Sequence, residues 1–307
     1  MKVYKPLFWN EINLISILLY PLCLITFFIN IIKKIPHKKN FKIKTICIGN
    51  LYIGGTGKTP LSIKINNILK KKYKTIFIKK KYSNQIDEQN ILKSYGNLIC
   101  TKNRDKALKI GQNQKYSVAI LDDGLQEKNI NYDISIACFN SSDGIGNGML
   151  IPAGPLREAI SEIKNYDIIF LNGEKSNKKL TKYLKKINNN IKIFEAKYVP
   201  TNLASFNLKK NYLFFCGLGN PSEFERTLKK YKFKIKEKFL FPDHYNFTQS
   251  DIFNLKKLAK KKKLNIITTE KDYLRLNKKN RKNIEFLKID LNIKNLKNFT
   301  KILFERL

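Results

Sequence analysis

The fold is decided by residues 45–69, which have the sequence TICIGNLYIGGTGKTPLSIKINNIL. The first five, Thr45 to Gly49, form an apolar β-branched run that predicts a buried strand. A glycine-rich stretch follows, and Leu61 to Lys71 has the apolar spacing of an amphipathic helix. Strand, glycine-rich loop and helix in this order are typical of a phosphate-binding loop, in which backbone N–H groups and the positive end of the helix surround phosphate oxygens.

The loop contains the residue types that nucleotide binding requires. Lys58 can reach the β- and γ-phosphates of a nucleotide, and the hydroxyl of Thr59 can ligate Mg²⁺. The strict spacing of such loops has a glycine five residues before Gly57, where this chain has Tyr52, so other glycines must make the early turn. The predicted nucleotide-binding residues are Tyr52, Ile53, Gly54, Gly55, Thr56, Gly57, Lys58 and Thr59.

A second nucleotide element is predicted where the apolar run Val118 to Leu121 ends in Asp122 and Asp123. One of these carboxylates can hold Mg²⁺ directly or through water, while the other orients water or the region of Lys58. Taken alone, such an acidic ending usually marks no more than the end of a strand. The glycine-rich loop upstream is what favours a metal site made of Thr59, Asp122 and Asp123.

Short apolar runs alternate with amphipathic stretches along the rest of the chain, which predicts a parallel sheet with crossover helices. Predicted strands are Lys44 to Gly49, Thr75 to Lys79, Val118 to Leu121, Ile134 to Phe139, Asp167 to Leu171, Ile191 to Ala196, Tyr212 to Cys216, Asn265 to Thr268 and Phe286 to Ile289. Predicted helices include Leu61 to Lys71, Arg104 to Gly111, Pro221 to Lys230, Thr248 to Lys261 and Leu296 to Phe304. We therefore predict an α/β protein with a mostly parallel, P-loop NTPase-like sheet over residues 39–205 and a smaller C-terminal α/β lobe over 206–307.

The N-terminal segment, residues 1–38, is predicted to be membrane-directed. Ile12 to Ile32 contains 21 residues without a charge, which as a helix would reach about 32 Å, near the thickness of the hydrocarbon core of a bilayer. Lysines are more numerous after this segment than before it, which places the rest of the chain in the cytoplasm. The polar residues within it leave two alternatives open, a kinked or partly embedded anchor and a helix that is buried on the core.

Composition restricts the class of protein. The formal charge of +36 suits nucleic acid, an anionic membrane surface or a phosphorylated substrate, although an AT-biased coding sequence would also enrich lysine. Five scattered cysteines without a CxxC pair indicate a reducing compartment, and two histidines are too few for a zinc finger or an HExxH protease. No nucleic-acid-binding motif is present, so no specific nucleic-acid partner is expected.

The loop and the acidic strand, together with further segments in the same order, resemble the tetraacyldisaccharide 4'-kinase family of lipid A biosynthesis. The segments are GNLYIGGTGKTP at 49–60, DDGLQ at 122–126, GNGMLIPAGPLRE at 146–158, GLGNP at 217–221, FPDH at 241–244 and TEKD at 269–272. The resemblance implies an ATP- and Mg²⁺-dependent kinase that phosphorylates the 4'-hydroxyl of tetraacyldisaccharide 1-phosphate, giving lipid IVA. It also implies an anionic glycolipid partner, a location at the cytoplasmic face of the bacterial inner membrane, and a monomer.

Site residues follow from the same resemblance. Asp87 and His244 match a proposed acid/base pair of the family, acting with Lys58 as the catalytic residues. The resemblance implies substrate contacts by Asn50, Gln126, Arg157 and Glu158. From the residues alone, Asp87 is a surface loop acid and His244 a loop histidine hydrogen-bonded to Asp243.

The chain departs from the family pattern at several positions. Ile86 and Gln89 replace the Gly and Pro that usually flank the acidic pair, and Glu127 replaces a His after the DDGLQ segment. An alternative of another class is a membrane-targeted P-loop ATPase or GTPase that acts as a switch or partitioning module. Such a protein would have a second lysine at Ile53 or an NKxD element at 171–174, and this chain has neither.

Overall fold

The computed structural model describes residues 6–32, 38–82, 86–219, 221–243 and 245–307, and it divides the chain into two compact units. The strands are β1 (Lys44–Gly49), β2 (Thr75–Lys80), β3 (Leu98–Thr101), β4 (Val118–Asp122), β5 (Ile134–Asn140), β6 (Ile168–Asn172), β7 (Lys192–Pro200), β8 (Asn211–Cys216), β9 (Lys234–Leu240), β10 (Asn265–Thr269), β11 (Glu285–Leu287) and β12 (Ile289–Ile293). The α-helices are α1 (Leu14–Ile32), α2 (Lys58–Leu69), α3 (Ile86–Tyr95), α4 (Arg104–Asn113), α5 (Lys178–Ile187), α6 (Pro221–Lys230), α7 (Gln249–Lys261), α8 (Glu270–Arg275) and α9 (Leu296–Glu305).

The larger unit is built on an eight-stranded sheet in the order β12-β7-β6-β5-β1-β4-β2-β3. All neighbours from β7 to β3 pair in parallel. Successive side chains of β1 point to opposite faces, so Ile46 and Ile48 enter one apolar core and Cys47 enters the other. Burial on both faces explains why these strands are continuous apolar runs. The expected mostly parallel, P-loop-like α/β fold is confirmed.

The smaller unit has a four-stranded, wholly parallel sheet in the order β11-β10-β8-β9. It also has an apolar core on each face, one around Phe214 and the other around Phe215. The predicted helix start at Thr248 is a capping box, because the Thr248 side chain accepts from the Asp251 backbone and the Asp251 side chain accepts from the Thr248 backbone.

The division of the chain differs from the predicted boundaries. The chain passes from the larger unit to the smaller one after Tyr198, and Leu291–Leu307 returns to the larger unit. The return has a packing cause, since Phe299 of α9 lies against Phe170 and Phe194 with ring centroids 6.0 and 5.0 Å apart. The segment that ends at Ile91 belongs to the smaller unit, and α1 belongs to the larger one.

Candidate functional site

The glycine-rich loop joins β1 to α2 at the carboxyl edge of the larger sheet. Gly57 precedes α2 with φ of 85°, and none of the described side chains caps the N-terminus of that helix. A Cβ atom at Gly57 would lie 2.7 Å from Nδ2 of Asn172 and 2.8 Å from the hydroxyl of Tyr198, so glycine is required there. The first turn of α2 therefore presents backbone N–H groups and the positive end of the helix dipole to an anion.

Buried polar atoms beside this loop lack hydrogen-bond partners within the described part of the chain. They are Oγ1 of Thr56, Oδ1 of Asn50, and both amide atoms of Asn172. Because buried polar groups are normally hydrogen-bonded, such atoms clustered at a phosphate-binding loop indicate a ligand that completes the bonding. The residues present therefore fit a bound nucleotide.

Asp122 is the most enclosed carboxylate of the larger unit's site. Its Oδ2 accepts from Oγ1 of Thr59 at 3.1 Å and from Nζ of Lys79 at 2.7 Å, and its Oδ1 accepts from Oγ of Ser62 at 3.1 Å. Asp122 and Lys79 are both buried. Neither Lys79 nor Ser62 was predicted to belong to this cluster.

The pairing of a hydroxyl and a carboxylate suits Mg²⁺, which prefers oxygen ligands and keeps waters or phosphate oxygens in its shell. Across the described ranges, no group of three or more His, Cys, Asp or Glu side chains is placed to hold a metal. Thr59 and Asp122 therefore fit a metal that is bound together with phosphate. Nζ of Lys79 already contacts one oxygen of the Asp122 carboxylate.

Asp123 organises two cations. Its Oδ1 lies 3.2 Å from Nη1 of Arg157 and 3.8 Å from Nζ of Lys58, and its backbone has a left-handed φ of 60°. Burial alone would raise the pKa of Asp123, but Lys58 and Arg157 outweigh burial and hold that pKa below its ordinary value. The two neighbouring carboxylates thus have different partners: Asp123 contacts Lys58 and Arg157, and Asp122 contacts Thr59.

The predicted substrate-contact residues have different surroundings. Gln126 donates to the backbone oxygen of Asn50 at 2.9 Å, and Asn50 in turn donates to backbone oxygens of Tyr52 and Gly54, so both residues support the glycine-rich loop. Arg157 is 30% exposed at its side chain and contacts Asp123.

Glu158 is buried and accepts from Lys128 at 2.9 Å and from the Tyr166 hydroxyl at 2.8 Å. The pKa of Tyr166 is raised mainly by burial, and the neighbouring Glu158 carboxylate is the second cause. Glu127, which stands where the family has His, pairs with Arg104 at 3.0 Å.

Asp87 lies in the smaller unit, on α3 and buried rather than in a surface loop. Its Oδ2 lies 2.5 Å from Nη2 of Arg275 and 3.2 Å from Nζ of Lys271. Arg275 also binds Asp272 at 2.6 Å and the backbone oxygen of Gly217 at 2.9 Å. Two cations of the same unit therefore enclose the Asp87 carboxylate.

This network joins the segments that the sequence singled out in the C-terminal region. Asp272 accepts from the backbone N–H of Gly217 at 3.0 Å, and Lys271 lies 3.4 Å from Asp243. Burial raises the pKa of Asp272, although Arg275 opposes that change. His244, the predicted partner of Asp87, lies outside the described residues.

The parallel sheet, the loop at the start of α2, and the group of Lys58, Thr59 and Asp122 define a P-loop nucleotide-binding protein. Comparison with known proteins identifies its family. Residues 15–97 and 80–307 match the LpxK family of tetraacyldisaccharide-1-P 4'-kinases. The chain is 46% identical over 304 residues to a tetraacyldisaccharide 4'-kinase from Pelagibacter ubique, covering 98% of this chain and 97% of that protein.

A tetraacyldisaccharide 4'-kinase from Rickettsia canadensis is 36% identical over 315 residues, with 96% of this chain and 95% of that protein covered. The chain therefore belongs to the tetraacyldisaccharide 4'-kinase family. A crystal structure of LpxK from Aquifex aeolicus in complex with ATP has the same fold, with a TM-score of 0.73 at 20% identity, covering 95% of this chain and 99% of that one.

Proposed function

We propose that this protein transfers the γ-phosphoryl group of ATP to the 4'-hydroxyl of tetraacyldisaccharide 1-phosphate, forming lipid IVA and ADP. The observation that carries the proposal is the group of Lys58, Thr59, Asp122 and Asp123 around the first turn of α2, in a chain of this kinase family. In the reaction the acceptor oxygen forms a bond to the γ-phosphorus, the bond from that phosphorus to the bridging oxygen breaks, and the hydroxyl proton must be removed.

The larger unit supplies the phosphate-handling groups. Backbone N–H groups from Gly54 to Thr59 bind phosphate oxygens, and Lys58 and Arg157 place positive charge where negative charge develops in the transition state. Thr59 and Asp122 would hold Mg²⁺, which would neutralise charge on the phosphate oxygens. Asp123 holds the side chains of Lys58 and Arg157 in place beforehand, so these two cations need little reorganisation during the reaction.

Asp87 is the proposed base. Asp87 accepts the proton of the acceptor hydroxyl, and His244 orients it or shares that proton. Arg275 and Lys271 hold Asp87 in place from the opposite end of the chain. Gln126 and Arg157 are proposed to contact the acceptor, whereas Glu158 acts through its bonds to Lys128 and Tyr166.

The protein is proposed to act as a monomer at the cytoplasmic face of the inner membrane, where its acceptor is an anionic glycolipid. The exposed apolar side chains of α1 support a membrane contact, and the formal charge of +36 supports attraction to anionic lipid. No specific nucleic-acid partner is proposed.

The test is transfer of label from γ-labelled ATP to the lipid. Purified protein, Mg²⁺ and tetraacyldisaccharide 1-phosphate should give a labelled bisphosphorylated lipid, while an acceptor already phosphorylated at the 4'-position should remain unlabelled. Release of inorganic phosphate without labelled lipid would instead identify a P-loop ATPase of the switch or partitioning class.

A further inference from the structure

Helix α1 is polar where it meets the protein and apolar where it is exposed. Its buried and half-buried positions recur at spacings of three and four residues, which places them on one side of the helix. They are Ser16, Leu19, Cys23, Thr26 and Asn30, and we call them the inner stripe. The other positions of α1 are exposed, and most are large apolar residues such as Ile25 and Phe28, 59% and 58% exposed.

The inner stripe donates hydrogen bonds to one stretch of backbone. Sγ of Cys23 donates to the carbonyl of Leu150 at 3.0 Å, and Oγ1 of Thr26 donates to that of Ile151 at 2.7 Å. Nδ2 of Asn30 donates to the carbonyl of Arg157 at 2.8 Å. We call residues 150–157 the support loop. Three successive donors therefore fasten the second half of α1 to it.

Residues that precede α1 are fastened to the same loop. Nε1 of Trp9 donates to the carbonyl of Pro152 at 3.0 Å, next to the carbonyl that Thr26 binds. The chain between Trp9 and Thr26 thus leaves the support loop and returns to it. A helix that crossed a bilayer would put its two flanks on opposite sides, so these contacts do not fit a span, although the 19 residues of α1 and its mean hydropathy of 2.4 are enough for one.

The support loop continues into the site. The backbone N–H of Ile53 donates to the carbonyl of Pro155 at 2.9 Å, and the backbone N–H of Arg157 donates to the carbonyl of Leu51 at 2.6 Å. The side chain of Arg157 then reaches Asp123 at 3.2 Å. An unbroken series of hydrogen bonds therefore runs from Asn30 through Arg157 to the carboxylate that holds Lys58.

We propose that, in addition to the membrane contact of its exposed face, α1 has a separable second role: its inner stripe positions the support loop and Arg157 for phosphoryl transfer. Thr26 and Asn30 are positioning residues in this proposal, which rests on the proposed kinase function. The anchor and core-helix interpretations of the sequence then both hold, each for one side of the helix. Removal of residues 1–38 should impair turnover on detergent-dispersed lipid as well as on bilayers.

Matched variants separate the two roles. Thr26→Val with Asn30→Leu removes two donors at nearly constant volume, and Thr26→Ser keeps the hydroxyl as a control. Ile25→Ser with Phe28→Ser alters only the exposed face. Each is assayed for turnover on lipid in detergent micelles and for flotation with vesicles of phosphatidylethanolamine and phosphatidylglycerol, with thermal unfolding as a check on folding.

The inner-stripe variant should lose about 10- to 100-fold in kcat with an unchanged KM for ATP and wild-type flotation, since small displacements of reacting groups cost this much. Thr26→Ser should retain wild-type kcat. The exposed-face variant should float less and keep its kcat in micelles. Wild-type kcat in the inner-stripe variant would overturn the proposal.

A double-mutant cycle tests whether Asn30 acts through Arg157. Asn30→Leu should lower kcat in the wild-type background and have little further effect in an Arg157→Ala background. An equal loss in both backgrounds would refute positioning through Arg157. Absence of labelled lipid with the wild-type protein would refute the kinase function itself, and is therefore distinguishable from either outcome.

Discussion

Replacement of Lys79 by methionine should destabilise the larger unit strongly, because it leaves a buried carboxylate without its cation. The Nζ of Lys79 lies 2.7 Å from Oδ2 of Asp122, and the two side chains are 2% and 0% exposed. Removing one partner of a buried ion pair typically costs about 3–5 kcal/mol. Thr59 and Ser62 would remain as neutral donors to Asp122, which places the expected loss near the lower end, at about 3 kcal/mol.

The measurement is equilibrium unfolding in urea and by heat, with Lys81→Met as the control. Lys81 follows β2 and is exposed, so its replacement should change the free energy of unfolding by less than about 0.5 kcal/mol. For a unit of this size, a loss of about 3 kcal/mol corresponds to a Tm lowered by about 6–12 °C.

A second variant distinguishes the lost charge from lost packing. Asp122→Asn together with Lys79→Met removes both charges, so the double variant should be less destabilised than the sum of the two single changes. Additive losses, or a loss below about 1 kcal/mol for Lys79→Met, would refute the reasoning, because the pair would then behave like an exposed one.

Four further predictions concern the reaction and its residues. Lys58→Ala should lower turnover at least 10²-fold in the labelled-ATP assay with a small effect on unfolding, as expected for a residue that stabilises transferring charge. The pKa of Asp123 is lowered from its ordinary 3.8, so its ion pairs stabilise the fold fully above pH 3.8 and are lost as the pH falls through the lowered pKa. The difference in free energy of unfolding between wild type and Asp123→Asn should therefore be constant near neutral pH and shrink in acid. Asp87→Ala and His244→Ala should each lower turnover with little change in ATP affinity, and the double variant should lose much less than the product, whereas multiplicative losses would show that the two act independently. Asn172→Leu should weaken ATP binding in calorimetry while preserving the fold, because its two buried amide atoms have no partner among the described residues; unchanged affinity would assign those atoms no role in binding.

Strands that are buried on both faces could be predicted from the sequence, since each is an apolar run that needs no knowledge of its neighbours. All nine predicted strand positions contain strands, although the run from Phe286 to Ile289 is divided between β11 and β12. β3 was not predicted, and neither was β9. The β9 sequence KIKEKFL has lysine at alternate positions and only one glutamate and three apolar residues besides, at the edge of the smaller sheet, where the lysines face solvent and resemble those of a polar loop.

The glycine-rich loop could be predicted because all of its chemistry is local in sequence. Lys79 could not, because a lysine at the end of a strand is ordinarily exposed. Its burial depends on the parallel register of β2 and β4, in which Lys79 lies directly beside Asp122. Once those two strands were known to be neighbours, a lysine beside an aspartate would have been the available signal.

Asp87 shows the same limit over a longer range. Its cations Arg275 and Lys271 are more than 180 residues away in the chain, and no local pattern distinguishes a buried acid on α3 from an exposed one. The polar residues of α1 left open whether it is a partly embedded anchor or a helix buried on the core. Their spacing follows one side of the helix, and that side binds the support loop. Spacing within the segment was therefore a usable signal that hydropathy alone conceals.

The large excess of positive charge gains a partial explanation from these contacts. Asp122 is bound by Lys79, Asp123 by Lys58 and Arg157, and Asp87 by Arg275 and Lys271. Each of these carboxylates in turn keeps its cations oriented. In the proposed function, Lys58 and Arg157 are already placed when phosphate oxygens arrive, so the developing charge is met without rearrangement of these long side chains. In the proposed function this part of the charge serves the chemistry, and the exposed lysines attract anionic lipid.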